Sequence, residues 1–243
     1  MYRLWPDPDP TPLSDDALTS LYEQPDAGVR MNFVTSVDGA VEIEGRSAGL
    51  GNPADKKVFG LLRQYPDGLL VGAGTLRQEG YNAVRLVASR RAWRESRGLD
   101  PQPRLIVISR RLDLDPSYKA FTEAPCRPIV LTSRDAPPDR VTALSTVADV
   151  VAFGRSSVDL RACFDSLRER GIARILSEGG PHLFGSLTAA DLVDELCLTV
   201  SPMLAGAGAG RITAGPPSEV RDLALRHLLY SEDAILLRYA RST

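Results

Sequence analysis

From Val29 onward, short apolar runs alternate with amphipathic stretches, the pattern of strands and helices taken in turn. Val29–Thr35, Gly68–Gly72, Arg104–Ser109, Pro128–Thr132, Val150–Phe153, Ala173–Ser177 and Glu195–Ser201 read as strands. Helical spacing predicts helices over Ala54–Arg63, Ala88–Arg97, Val158–Arg170 and Pro181–Ala189. In the third of these, Leu160, Cys163, Phe164 and Leu167 share one face, and Gly171 stops the helix. Leu223–Tyr230 and Ala234–Tyr239 close the chain as two strands joined by the turn Ser231-Glu232-Asp233. Residues 1–28 are proline- and aspartate-rich and predict an extended arm, with a helical turn or two around Asp15–Tyr22. The whole predicts an α/β fold: a mostly parallel central sheet with helices on both faces and antiparallel strands at the C-terminal end. Too little chain follows the glycine-rich stretch Ala205–Gly210 to make a second domain. The expectation is therefore an arm over residues 1–28 and a single domain over 29–243.

Composition narrows the function classes. The 243 residues are 43% hydrophobic and 25% charged, with a net charge of −2, which suits a globular protein with a sizeable core. A disordered chain is excluded, as is a protein that depends on broad basic surface to hold nucleic acid. No apolar run approaches the roughly 20 residues of a membrane span, and the first residues lack a signal peptide's basic start and apolar stretch. A cytoplasmic protein is expected. Cys126, Cys163 and Cys197 are far apart and in no C-x-x-C pair, and His182 and His227 are the only histidines. A disulfide framework, a structural zinc site and a zinc deaminase are thus disfavoured, and no metal is expected. Positive charge is nearly all arginine, since lysine occurs only at Lys56, Lys57 and Lys119.

Three predicted strand ends carry candidate chemistry, because ligands of such sheets bind at the carboxyl ends of strands. In Leu69–Thr75, Gly72 and Gly74 would let a phosphate approach the backbone and Thr75 offers a hydroxyl; a plain tight turn is the alternative. This is no G-x-G-x-x-G fingerprint, since Arg77 stands where the third glycine would be. In Arg174–Pro181, the strand runs into Gly179-Gly180, with Pro181 suited to the first position of a helix whose amides would face a diphosphate; a plain glycine-pair turn is the equal alternative. Ser109, Arg110 and Arg111 directly follow another strand. They suit a 2′-phosphate, where an NAD site would place an acid; taken alone, Arg110 and Arg111 read first as solvated surface charges.

Taken in order, these segments resemble the riboflavin-pathway pyrimidine reductases, the reductase half of the bifunctional deaminase/reductase, which has a dihydrofolate-reductase-like fold. The likeness rests on Met31–Gly39 with its S-x-D-G turn, Ser47–Arg63 ending in L-L-R, and Asp67–Thr75 as D-x-x-x-V-G-x-G-T. It continues through Leu176–Pro181 with E-G-G and Leu192–Pro202 with V-D-E. Two segments depart from the family: Ser47–Gly51 lacks the tryptophan of S-x-W-I-T, and Glu79–Ala83 replaces D-D-P-x-L.

The resemblance implies NADPH-dependent reduction of 5-amino-6-(5-phosphoribosylamino)uracil to its ribitylamino product, in a homodimer. It implies Thr75, Glu79 and Ser109 at NADP, with Gly179 and Gly180 on its diphosphate, and Ser47, Arg63, Arg85 and Glu178 facing the phosphorylated substrate. Reduction of an imine needs a proton on nitrogen, for which Asp38 or Glu178 are the candidates, Asp38 having a turn-forming role as its alternative. Two rivals are a dihydrofolate-type reductase, for which Asp55 is the only acid on the first predicted helix, and a non-catalytic NADPH-binding sensor.

Overall fold

The apolar runs Leu69-Leu70-Val71, Leu105-Ile106-Val107 and Ile129-Val130-Leu131 have no polar face to offer water, and every one of these side chains is buried, in neighbouring parallel strands. The computed structural model describes residues 1–242. In chain order it forms β1 (Tyr2–Trp5), α1 (Asp15–Leu21), β2 (Gly28–Ser36), a 3-10 turn (Ser47–Gly49), α2 (Pro53–Leu62), β3 (Gly68–Gly72), α3 (Ala73–Gln78), α4 (Ala88–Glu95) and β4 (Arg104–Ile108). There follow α5 (Lys119–Thr122), β5 (Ile129–Thr132), α6 (Pro138–Ser145), β6 (Asp149–Ala152), α7 (Leu160–Glu169), β7 (Arg174–Ser177), α8 (Pro181–Ala189), β8 (Glu195–Ser201), β9 (Leu223–Ser231) and β10 (Ala234–Arg241). Every strand and helix predicted after the arm is present, with bounds shifted by at most two residues. The α/β class, with parallel strands and an antiparallel C-terminal set, is as expected.

The chain divides into two compact units. One is Arg63–Leu176; the other joins Met1–Leu62 to the chain from Ser177 on. In the Arg63–Leu176 unit, β3, β4, β5 and β6 run parallel in that order, with β7 beside β3. Their core includes Val71, Leu76, Leu105, Val107, Phe121 and Val130. Each such side chain contributes about 1.5–3 kcal/mol when fully buried. Asp67 organises the starts of the strands. Its carboxylate accepts the amides of Ala173 and Arg174 and pairs with the Arg174 guanidinium at 2.7 Å, while its own carbonyl accepts the Arg104 amide.

In the other unit the strand order is β1-β9-β10-β8-β2. The pair β2–β8 is parallel and the remaining pairs are antiparallel. The acids of the V-D-E segment serve as scaffold. Asp194 accepts the Val29 amide at 2.8 Å and lies where a Cβ on Gly28 would meet it at 2.9 Å; Gly28 has φ +129°, so a side chain there is excluded twice over. Glu195 is buried and holds the fully buried Arg30 with one oxygen and Arg238 with the other, each at 2.5 Å. Both arginines also donate to carbonyls at the end of α1, Arg30 to Tyr22 and Arg238 to Leu21, which fastens the N-terminal segment to the sheet.

Candidate active site

In the Arg63–Leu176 unit, the parallel register sets Gly72 beside Ile108, so the turn after β3 and the residues after β4 are neighbours. Gly72, Gly74 and Thr75 are thereby brought together with Ser109 and Arg110. Gly72 caps α3 with no side-chain bond, which leaves the first amides of that turn without a capping side chain. A Cβ at Gly74 would meet nothing within 4 Å, so the approach to this backbone is open. Thr75 is within α3 and its carbonyl accepts the Glu79 amide at 3.0 Å. Ser109 is buried and donates its amide to Leu131, while Arg110 is exposed and its carbonyl accepts the Thr132 hydroxyl.

The arginines expected at the substrate differ in setting. Arg63 is half-buried directly after α2. It donates to the Tyr81 hydroxyl at 2.9 Å and lies 5.6 Å from that ring's centroid. Arg85 is exposed and is taken up by the Glu123 carbonyl at 2.7 Å.

In the other unit, Gly179 and Gly180 join β7 to α8 through a cis peptide bond. Gly179 has φ +94°, and a Cβ there would lie 3.1 Å from Phe33, whose ring stacks on Phe184 of α8 at 5.2 Å. Gly180 caps α8 from an extended conformation with no side-chain bond, and Pro181 occupies the first turn. The result is a helix N-terminus whose leading amides have no side-chain cap, behind a glycine that cannot be substituted without displacing an aromatic ring. That cradle fits a diphosphate. Glu178 is half-buried at its edge, and Ser47 sits half-buried on the 3-10 turn, its carbonyl accepting the Leu50 amide.

Asp38 has an established structural task. Its carboxylate takes the Ser36 hydroxyl and accepts the amides of Ala205 at 3.2 Å and Gly206 at 2.8 Å. The Ser36 hydroxyl first, then these amides, lowers its pKa. A carboxyl held ionised is a poor proton donor at neutral pH, so the geometry favours the turn-forming role over proton transfer. Sequence reasoning did not find Tyr81 as the partner of Arg63; a tyrosine inside the altered Glu79–Ala83 segment was the available signal.

Among the described residues, no group of three or more His, Cys, Asp or Glu side chains could hold a metal ion. Burial pushes the Cys163 and Cys197 thiols up to about 12 and about 11, which makes them weak nucleophiles.

A mixed α/β fold with glycine turns at its strand ends and an uncapped helix N-terminus has the architecture of folds that bind phosphorylated ligands at those ends. Residues 27–236 match the model of the RibD C-terminal domain, and the chain belongs to that family, the pyrimidine reductases of riboflavin biosynthesis. It is 30% identical over 179 residues to a protein of Archaeoglobus fulgidus named 2,5-diamino-6-ribosylamino-4(3H)-pyrimidinone 5′-phosphate reductase, covering 73% of this chain and 81% of that one. A protein of the same name from Methanothermobacter thermautotrophicus is 28% identical over 73% of this chain and 79% of its own. Among solved structures, a pyrimidine reductase-like protein of Corynebacterium diphtheriae superposes with a TM-score of 0.82 at 28% identity, covering 89% of this chain and 92% of that one.

Proposed function

We propose that this protein reduces a phosphorylated ribosylaminopyrimidine to its ribitylamino counterpart, with NADPH as reductant. The observation that carries the reading is the cradle at Gly179-Gly180 and the uncapped start of α8, a seat for a diphosphate within a chain of this family. Ser109 and Arg110, directly after β4 and with no acid beside them, support NADPH over NADH. The cofactor supplies hydride when bound. Gly72, Gly74, Thr75, Glu79, Ser109, Arg110, Gly179 and Gly180 are the residues that would hold it.

The remaining chemistry belongs to positioning and one proton. Ser47 and Glu178 hold the substrate's polar groups, Arg63 and Arg85 supply cations for its phosphate, and the nitrogen of the open-chain imine takes its proton through water. Asp38 keeps the loop at Ala205–Gly206 in place. The uracil form of the substrate and the diaminopyrimidinone form named in the archaeal relatives differ at the ring carbon that deamination changes. Following NADPH oxidation with each of them tests the activity and assigns the ring; turnover of neither would overturn the reading.

One observation supports a second reading, reduction of a pteridine. Asp55, half-buried in the first turn of α2, has its carboxyl pushed up by burial while Thr199 hydrogen-bonds to it. Dihydrofolate in the same assay separates the two.

No helix of the described residues is long and apolar enough to cross a membrane, and we read the protein as a cytoplasmic enzyme. A homodimer is supported by an apolar patch in which Val200, Ile235 and Tyr230 align in one row and Leu198, Leu237 and Leu228 in the next, all half-buried or exposed. Sedimentation of the purified protein checks it.

A further inference from the structure

We propose that Arg90 joins Arg63 as a further cation of the substrate's phosphate seat. The inference rests on the substrate class read above and names a residue that reading does not contain.

Arg90 differs from every arginine around it. Arg85 is held by the Glu123 carbonyl, Arg91 by the Leu86 carbonyl at 3.0 Å, and Arg94 by the carbonyls of Gln64, Pro66 and Asp100. Arg97 lies 3.9 Å above the Trp93 ring. Among the described residues no carboxylate or carbonyl takes the Arg90 guanidinium, although the side chain is half-buried.

Its setting is unfavourable for a cation in three ways. Burial removes water from it, and Arg63 adds a like charge; both lower its pKa. It also stands in the first turn of α4, where the helix dipole disfavours positive charge. A dianion placed between Arg63 and Arg90 relieves all three. Two guanidiniums match a phosphate's oxygens in geometry as well as charge. Arg63 is already oriented for this by the Tyr81 hydroxyl, and Tyr81 lies in the Glu79–Ala83 segment where this chain departs from its family. The altered segment thus supplies the support for one half of the pair.

The test compares wild type with Arg90→Ala, Arg90→Lys and, as control, Arg91→Ala, whose guanidinium is held by the Leu86 carbonyl. KM is measured for the phosphorylated substrate, its dephosphorylated form and NADPH, and thermal shifts are read on titrating inorganic phosphate. The expected result is a rise of about 10- to 100-fold in KM for the phosphorylated substrate with Arg90→Ala, partly recovered by Arg90→Lys, with NADPH affinity retained. The preference for phosphorylated over dephosphorylated substrate should fall by the same factor, and the phosphate-induced thermal shift of wild type should vanish. An unchanged KM in a folded Arg90→Ala, beside normal wild-type turnover, overturns the proposal and leaves the activity standing. A loss confined to NADPH affinity also overturns it, because the phosphate seated there would be the cofactor's. If wild type turns over no ribosylaminopyrimidine yet shows an Arg90-dependent thermal shift, the activity falls and the anion seat stands. If Arg90→Ala does not fold, Arg90→Lys and Arg90→Gln carry the same comparison.

Discussion

The carboxylate of Asp38 accepts the amide of Gly206 at 2.8 Å, tying the turn after β2 to a glycine-rich loop 168 residues further along the chain. With the Ala205 amide and the Ser36 hydroxyl also on this carboxylate, Asp38 acts on the loop. Asp38→Asn should therefore lower kcat/KM by less than about tenfold and leave the pH profile in place, whereas loss of a general acid removes about 10²–10⁴-fold. Asp38→Ala should raise amide exchange across residues 203–209. A loss of the larger size, with disappearance of a titrating limb, would return Asp38 to the chemistry.

Gly179 is the constrained member of its pair. Its φ of +94° strains any side chain and the Phe33 ring, 3.1 Å from a would-be Cβ, would have to give by a few tenths of an ångström, while Gly180, at φ −85°, has a backbone that any residue adopts. Gly179→Ala should destabilise the fold by about 1–2 kcal/mol from the left-handed backbone alone. That lowers Tm by about 2–8 °C in a chain of this size. NADPH affinity should fall with it. Calorimetry and cofactor titration check both, and an unchanged Tm would sink the strain argument.

These cases show what could be read from the chain and what could not. Buried parallel strands such as Leu105–Val107 announce themselves because both faces are apolar. Helix α7 is equally legible, since Cys163, Phe164 and Leu167 repeat at helical spacing. By contrast, β1 is four residues before a proline, stabilised by pairing with β9, and no local pattern marks it. Helix α3 starts inside the G-A-G-T turn, where glycines mask a helix whose ends carry no capping side chain. The residues of the candidate site were legible as types and positions, but their tasks were not. Asp67, Asp194 and Glu195 look like chemistry in a motif, yet each closes hydrogen bonds with residues more than a hundred positions away. The Arg63–Tyr81 bond depends on a loop conformation that periodicity does not encode.

Arg110 follows β4 with its guanidinium exposed, next in the sheet to the turn at Gly72. If it meets the 2′-phosphate, Arg110→Ala removes a charge-assisted bond of about 1.5–3 kcal/mol and weakens NADPH binding by about tenfold or more. NADH binding should be nearly unaffected, so the ratio of the two affinities is the readout. Equal weakening of both would mean that Arg110 acts on the fold, and no change in either would remove it from the cofactor site.

His227 supplies a pH dependence whose sign is fixed by its surroundings. The side chain is 1% exposed on β9, edge-on to Tyr22 at 4.6 Å, and its Nε2 has no hydrogen-bond partner. Burial, reinforced by the cationic Arg238 and Arg30, holds the imidazole down at about 3, against 6.5 when unperturbed. Between those values the unfolded chain binds a proton that the folded chain refuses, so stability rises with pH there. The contribution is complete above pH 6.5, is lost as pH falls, and is gone near pH 3. At 1.36 kcal/mol per pH unit the full range is about 4–5 kcal/mol, of which about 3 kcal/mol is already lost at pH 4.5. Carboxylates paired in the fold add their own acid sensitivity, so the measurement is a difference. His227→Phe should flatten the fall in unfolding free energy between pH 6.5 and 4.5 relative to wild type, read from urea titrations at each pH. A variant that folds and declines as steeply as wild type would show that the buried imidazole is not the source.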